Sequence, residues 1–175
     1  ESADPTAHGC PADRDGDGVH DREDTCPDAP GPADPDPKRN GCPLARIEDG
    51  QIKILDKIQF KTDSAEILRD SDTTLVAVAM TLKNHPEIQK VQIEGYTDNR
   101  GRVVHNRELS YKRALAVEKW LTRFGLDGKR FESKGFGPSR AVDTNATEQG
   151  RQNNRRVEFH IVQIWDPKTS IKPKP

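Results

Sequence analysis

Two stretches of this 175-residue chain carry residue types and spacings that imply chemistry. The first is Asp13-Arg14-Asp15-Gly16-Asp17-Gly18-Val19-His20-Asp21-Arg22-Glu23-Asp24. With Asp13 as position one, Asp13, Asp15, Asp17, Asp21 and Asp24 fall at positions 1, 3, 5, 9 and 12. Gly18 falls at position 6, and the Val19 carbonyl is available at 7. That is the ligand pattern of a twelve-residue calcium loop, with Asp instead of Glu at the last place. Calcium takes six to eight hard oxygens, and alternate residues of a curling loop turn theirs inward. Pro11 and Pro27-Asp28-Ala29-Pro30 flank the loop and exclude a helix on either side. Asp28, Asp34, Asp36 and Asn40 offer a further set of oxygens at poorer spacing. The plain alternative is an acidic, solvated linker.

The second stretch is Gly95-Tyr96-Thr97-Asp98-Asn99-Arg100-Gly101, followed by Asn106, Ser110 and Arg113. Asp98 falls just past an expected strand end, in a loop turned by Asn99 and Gly101. Spacings of four and three put Asn106, Ser110 and Arg113 on one helix face. The loop therefore presents a carboxylate beside an amide, a hydroxyl and a guanidinium. One anion with one planar cation suits a zwitterion, its ammonium on Asp98 and its carboxylate gripped by Arg113. A structural ion pair at a helix start is the bland alternative. Asp98, His105 and Ser110 are the residue types of a hydrolase triad, but Ser110 lacks a Gly-x-Ser-x-Gly elbow and falls within a helix. No enzymatic activity is expected. The five histidines lack metal-ligand spacing, so zinc is not expected.

The elements that must position these residues follow from periodicity. Ile47, Ile52, Ile54, Ile58 and Phe60 read as one or two strands. Ser71-Asp72 caps a helix carrying Leu75, Val78, Ala79 and Leu82 and ending before Pro86. Lys90–Thr97 alternates as a half-buried strand. A second helix starts near Val104–Asn106, buries Ala114, Val117, Leu121 and Phe124, and stops at Gly125. Phe131–Gly137 is a third strand, a short helix lies near Glu148–Asn153, and Val157, Phe159 and Ile161 mark a final strand. The order implies an α/β sandwich with two helices on one sheet; periodicity leaves parallel and antiparallel pairing open.

Composition separates the two stretches. The chain nets −1, yet residues 1–43 hold 11 acidic and 4 basic residues and residues 44–175 net +6. Residues 1–43 contain one Val and no Leu, Ile, Met, Phe, Tyr or Trp, so a hydrophobic core cannot hold them. Cys10, Cys26 and Cys42 recur every 16 residues there. A Cys26–Cys42 bridge is favoured, with Cys10–Cys26 as its competitor, and either implies an oxidising compartment. No run approaches the roughly 20 apolar residues of a transmembrane helix. Few aromatics and no helix-turn-helix or RNP pattern argue against nucleic acid.

The spacing of several blocks supports a resemblance. Phe60, Ser64-Ala65-Glu66-Ile67, Gly95–Asp98, Asn106, Leu109-Ser110, Arg113-Ala114, Gly135-Phe136-Gly137 and Asn154-Arg155-Arg156-Val157-Glu158 together resemble an OmpA-like C-terminal domain across about residues 51–163. The resemblance implies an α+β fold of βαβαβ type, with helices on one face of a mixed sheet. It implies non-covalent binding of peptidoglycan through the diaminopimelate of the stem peptide, with Asp98 and Arg113 as the gripping pair. Thr97, Asn106, Asn154 and Arg155 would support them, and Tyr96 stands where the family usually has His. Residues 9–43 resemble a thrombospondin type-3 repeat, in which structural Ca2+ and disulfides replace a core. The expected organisation is a calcium-binding spacer (1–43), a linker (44–50), a peptidoglycan-binding domain (51–164) and a disordered basic tail (165–175). The expected place is the periplasmic face of a Gram-negative outer membrane, reached through a part that precedes residue 1. A calcium-dependent adhesion module is the alternative.

Overall fold

The computed structural model describes residues 12–165. Cys10 and the lysine-rich tail, which entered the expectations above, lie outside them. Ala45–Glu48 (β1) and Gln51–Ile54 (β2) form an antiparallel hairpin across Asp49-Gly50, with φ of 50° and 72°. Two consecutive left-handed residues are what a two-residue hairpin turn requires, and Asp-Gly is a preferred pair for it. The expected linker 44–50 is therefore corrected: strand and turn occupy it, because Ala45 and Ile47 pair with Ile54 and Ile52. The strand pattern read through Phe60 stops at Ile54, and Phe60 meets only Ile67 in an isolated bridge.

Helix α1 spans Asp72–Asn84 and buries Leu75, Val78, Ala79 and Leu82, as its spacing requires. Ser71 does not cap it. Its hydroxyl instead accepts from the Gln59 amide at 2.7 Å, pinning the segment that leads to Phe60. Strand β3 (Ile88–Tyr96), helix α2 (Val103–Arg123) and strand β4 (Phe131–Gly137) follow, with β4 parallel to β3. Helix α3 (Glu148–Asn154) is capped by Thr147, whose hydroxyl accepts from Gly150 N, and leads into β5 (Arg156–Ile164).

The five-stranded sheet runs β1-β2-β5-β3-β4, mixed, with every neighbouring pair antiparallel except β3–β4. Helix α1 packs near β1 and β2, and α2 lies over β3 and β4. Val91, Ile93, Val157 and Phe159 meet Leu75, Val78, Val117 and Leu121 in one core. No described helix is long and apolar enough to cross a membrane.

Residues 12–43 contain neither helix nor strand among those described. A Cys26–Cys42 disulfide closes them, so the competing Cys10–Cys26 pairing is not formed. They are also anchored to the sheet domain. The Arg39 guanidinium donates twice to the Asp56 carboxylate, at 2.6 and 3.0 Å.

Candidate functional site

Asp98 stands two residues beyond β3, where the chain leaves the sheet. Thr97 N donates to Gly137 O at 2.9 Å, and the Thr97 hydroxyl donates to the Asp98 carbonyl. Arg100 N donates to Asp98 Oδ1 at 2.9 Å, closing an Asx turn. Asn106, from the first turn of α2, donates Nδ2 to the carbonyls of Arg100 (2.7 Å) and Asp98 (3.4 Å). These bonds hold a carboxylate that is only 8% exposed. Its Oδ2 accepts from Arg155 at 2.5 Å, and Arg155 also donates to Glu148 of α3.

Arg113 lies two turns along α2 from Asn106 and is 9% exposed. Its Nε donates to the Ser64 carbonyl at 2.9 Å, and its guanidinium rests on the Phe60 ring, 5.0 Å from the centroid. Among the described residues its two terminal nitrogens have no hydrogen-bond partner, and no carboxylate lies within 4 Å. Burial, with the Arg155 charge adding to it, holds the Arg113 guanidinium below the ordinary arginine value. Asp98 and Arg113 are thus separate charges and do not form the structural ion pair that was the bland alternative.

Both charges line one cleft of about 780 Å³, together with Thr97, Asn106 and Arg155. Asn154 does not line it, which corrects that expectation. Its side chain is fully buried, accepting from Val142 N and Asp143 N and donating to Asp143 O and Asn145 Oδ1. All four bonds organise the loop before α3. Ser110 is equally inaccessible: its hydroxyl accepts from Gly137 N and donates to Arg107 O. His105 pairs at the surface with Asp63, so the triad residue types do not converge.

Sequence reasoning did not place Lys57, Phe60 and Asp63 along the cleft, nor the Ser64 carbonyl on Arg113. Phe60 was visible as part of a recurring block, but nothing in its local spacing showed that it would lie against Arg113.

The acidic loop is folded on its own carboxylates. Asp13 accepts from Gly16 N and Gly18 N, Asp17 from Val19 N and Gly31 N, Asp21 from Arg14 N, and Asp24 from Cys26 N. Carboxylate oxygens of Asp13, Asp15 and Asp17 lie within 4.8 Å of one another. Asp15 and Asp24 each keep one buried oxygen without a partner, Oδ2 in both cases. Burial pushes the Asp15 carboxyl up. Unpartnered buried carboxylate oxygens among further carboxylates fit a hard cation such as calcium. The further oxygen set does not share this character, since Asp28 pairs with Arg14 and Asp34 with Arg39.

The OmpA family model matches residues 59–155, the stretch that holds Asp98, Arg113 and most of the cleft lining. The chain is 36% identical over 159 residues to outer membrane porin F of Pseudomonas aeruginosa, covering 90% of this chain and 43% of that protein. It is 35% identical over 132 residues to the peptidoglycan-binding protein ArfA of Mycobacterium bovis, covering 75% of this chain and 40% of that one. The chain thus spans less than half the length of both relatives. Among solved structures, the cell wall anchor of the T6SS from Pseudomonas aeruginosa superposes with a TM-score of 0.58 at 28% identity, over 69% of this chain and 88% of that one. The family match over residues 59–155, more than half of the chain, places this chain in the OmpA family.

Proposed function

We propose that the domain binds peptidoglycan non-covalently by clamping the free zwitterionic end of a diaminopimelate side chain. The observation that carries this reading is the pair of buried, opposite charges in one cleft, Asp98 and Arg113, not paired with each other. The ammonium would be received by Asp98, and the carboxylate by the free terminal nitrogens of Arg113 as a charge-assisted bidentate contact. Arg155 and Asn106 hold Asp98 in place and keep its charge from collapsing onto Arg113. The names of relatives that bind peptidoglycan or anchor to the cell wall support the reading. No bond is made or broken, and the domain would act as a tether on the periplasmic face of an outer membrane.

In this reading residues 13–24 form a calcium site of thrombospondin type-3 character. Asp13, Asp15, Asp17, Asp21, Asp24 and the Val19 carbonyl would hold the ion, which replaces the missing core of the segment. Its part is structural.

Co-sedimentation with purified diaminopimelate-type peptidoglycan, with calcium and with chelator, tests the assignment. Asp98→Ala and Arg113→Ala should each remove binding while the circular dichroism spectrum is retained. Retained binding by both variants would overturn it.

A further inference from the structure

The cleft holds more positive charge than one zwitterion needs. Lys57, Arg100, Arg113, Arg155 and Arg156 line it against Asp63 and Asp98. Asp98 is taken by Arg155, Asp63 by His105, and Arg156 by Glu158. Among the described residues Lys57, Arg100 and Arg113 therefore have no carboxylate within 4 Å. A zwitterionic end would supply one carboxylate, to Arg113. The surplus calls for another anion.

We propose that Lys57 forms a second anion subsite in this cleft, receiving a further carboxylate of the stem peptide. The proposal rests on reading the cleft as a stem-peptide site and names the part of the ligand beyond its zwitterionic end. Lys57 is the better placed of the two remaining cations. Its ammonium donates to the carbonyl of Gln152 (3.1 Å) and to Asn153 Oδ1 (2.9 Å), at the C-terminal end of α3. Two neutral acceptors fix its position without pairing it with a carboxylate within 4 Å. Lys57 and Arg100 are both exposed, but the Arg100 guanidinium makes no hydrogen bond among the described residues, so ordering it on a ligand costs more side-chain entropy.

Position along the wall separates the two anion sites. Phe60, three residues after Lys57, carries its ring against Arg113. Lys57 is held instead at the end of α3, by Gln152 and Asn153, whereas Arg113 is held by the Ser64 carbonyl and the Phe60 ring. The two cations line one cleft on different anchors and share no hydrogen-bond partner.

The local field points the same way. Burial and the neighbouring Arg155 and Arg156 charges hold the Lys57 ammonium below the ordinary lysine value, with Asp143 only partly offsetting them. An anion beside Lys57 would offset the Arg155 and Arg156 charges that act on it.

The test is calorimetric titration of the full chain with two probes. One is L-alanyl-γ-D-glutamyl-meso-diaminopimelate. The other is the same tripeptide with both carboxylates outside the zwitterionic end converted to carboxamides. Wild type should bind the amidated probe about three- to tenfold more weakly. Lys57→Gln should bind both probes alike, at the wild-type affinity for the amidated one, while Lys57→Arg restores the difference. An unchanged thermal midpoint for Lys57→Gln confirms the fold. Lys57→Gln that still discriminates as wild type does, or discrimination that disappears in Arg100→Gln instead, overturns the proposal. Wild type that binds both probes equally overturns it while leaving the peptidoglycan reading intact. Wild type that binds neither overturns both.

Discussion

Asn154 and Arg155 are neighbours in sequence with different surroundings and different roles. Arg155 reaches the cleft and meets Asp98, whereas Asn154 turns inward and completes four hydrogen bonds. Removing the Asn154 amide would leave the N–H groups of Val142 and Asp143 without acceptors, a cost of about 1–3 kcal/mol. Asn154→Ala should therefore lower the unfolding free energy measured in urea by that amount and leave peptidoglycan co-sedimentation in place. Arg113→Ala should do the reverse. The Asn-Arg-Arg block was legible in the sequence, but which of its side chains faces the cleft was not. Arg155 lies between the end of α3 and the start of β5, where neither helical nor strand periodicity applies.

Between elements, the seating of α2 on β3 controls the cleft. A methyl group on Gly95 would lie 2.0 Å from the Ser110 carbonyl oxygen, so α2 backbone rests directly on the strand there. This close approach sets Asn106 and Arg113 against the Asp98 loop, because all three lie within two turns or one loop of the contact. Gly95→Ala should push α2 away and cost about 1–3 kcal/mol, typical of overpacking a filled core. Peptidoglycan affinity should fall with it, and thermal melting beside co-sedimentation checks both. Unchanged melting would mean that the helix shifts freely. The stripe of Ala114, Val117 and Leu121 was plain from spacing, as was the alternation of Val91 and Ile93. The β1–β2 hairpin was legible only in hindsight: Asp49-Gly50 is a strong turn signal, but its flanking strands have four residues each.

For the whole molecule, the acidic segment and the sheet domain differ in what holds them. Leu75, Val78, Leu121 and Ile93 are fully buried, whereas Val19 and Cys42 are the only large or sulfur-bearing apolar side chains buried in residues 12–43 among those described. If calcium supplies the missing cohesion, chelation should raise amide exchange across residues 13–41 and leave β3 and α2 protected, as followed by hydrogen–deuterium exchange. Exchange unaffected by chelator would mark the segment as a linker organised by its own hydrogen bonds. Breaking the anchor through Asp56→Asn should instead loosen the segment near Arg39 without altering calcium affinity, read by the same method together with calorimetry. The Arg39–Asp56 contact has no sequence signature, since two exposed-type residues 17 positions apart reveal nothing of their pairing.

What the sequence by itself determined was the division of the chain and the chemistry available to each part. Residues 1–43 are too poor in apolar residues to fold on a core and are spaced for oxygen ligation; the rest has the periodicity of helices on a sheet. Those properties are local, because periods of two and 3.6 residues and the twelve-residue loop are read within a single element. Only the tertiary structure decided that β4 pairs parallel to β3, that Asp98 meets Arg155 and leaves Arg113 free, and that Lys57 joins the cleft. Each of these depends on which distant segments share a sheet edge or a cleft wall. Side-chain pairing across 50 or more residues follows from packing geometry, which no local pattern encodes.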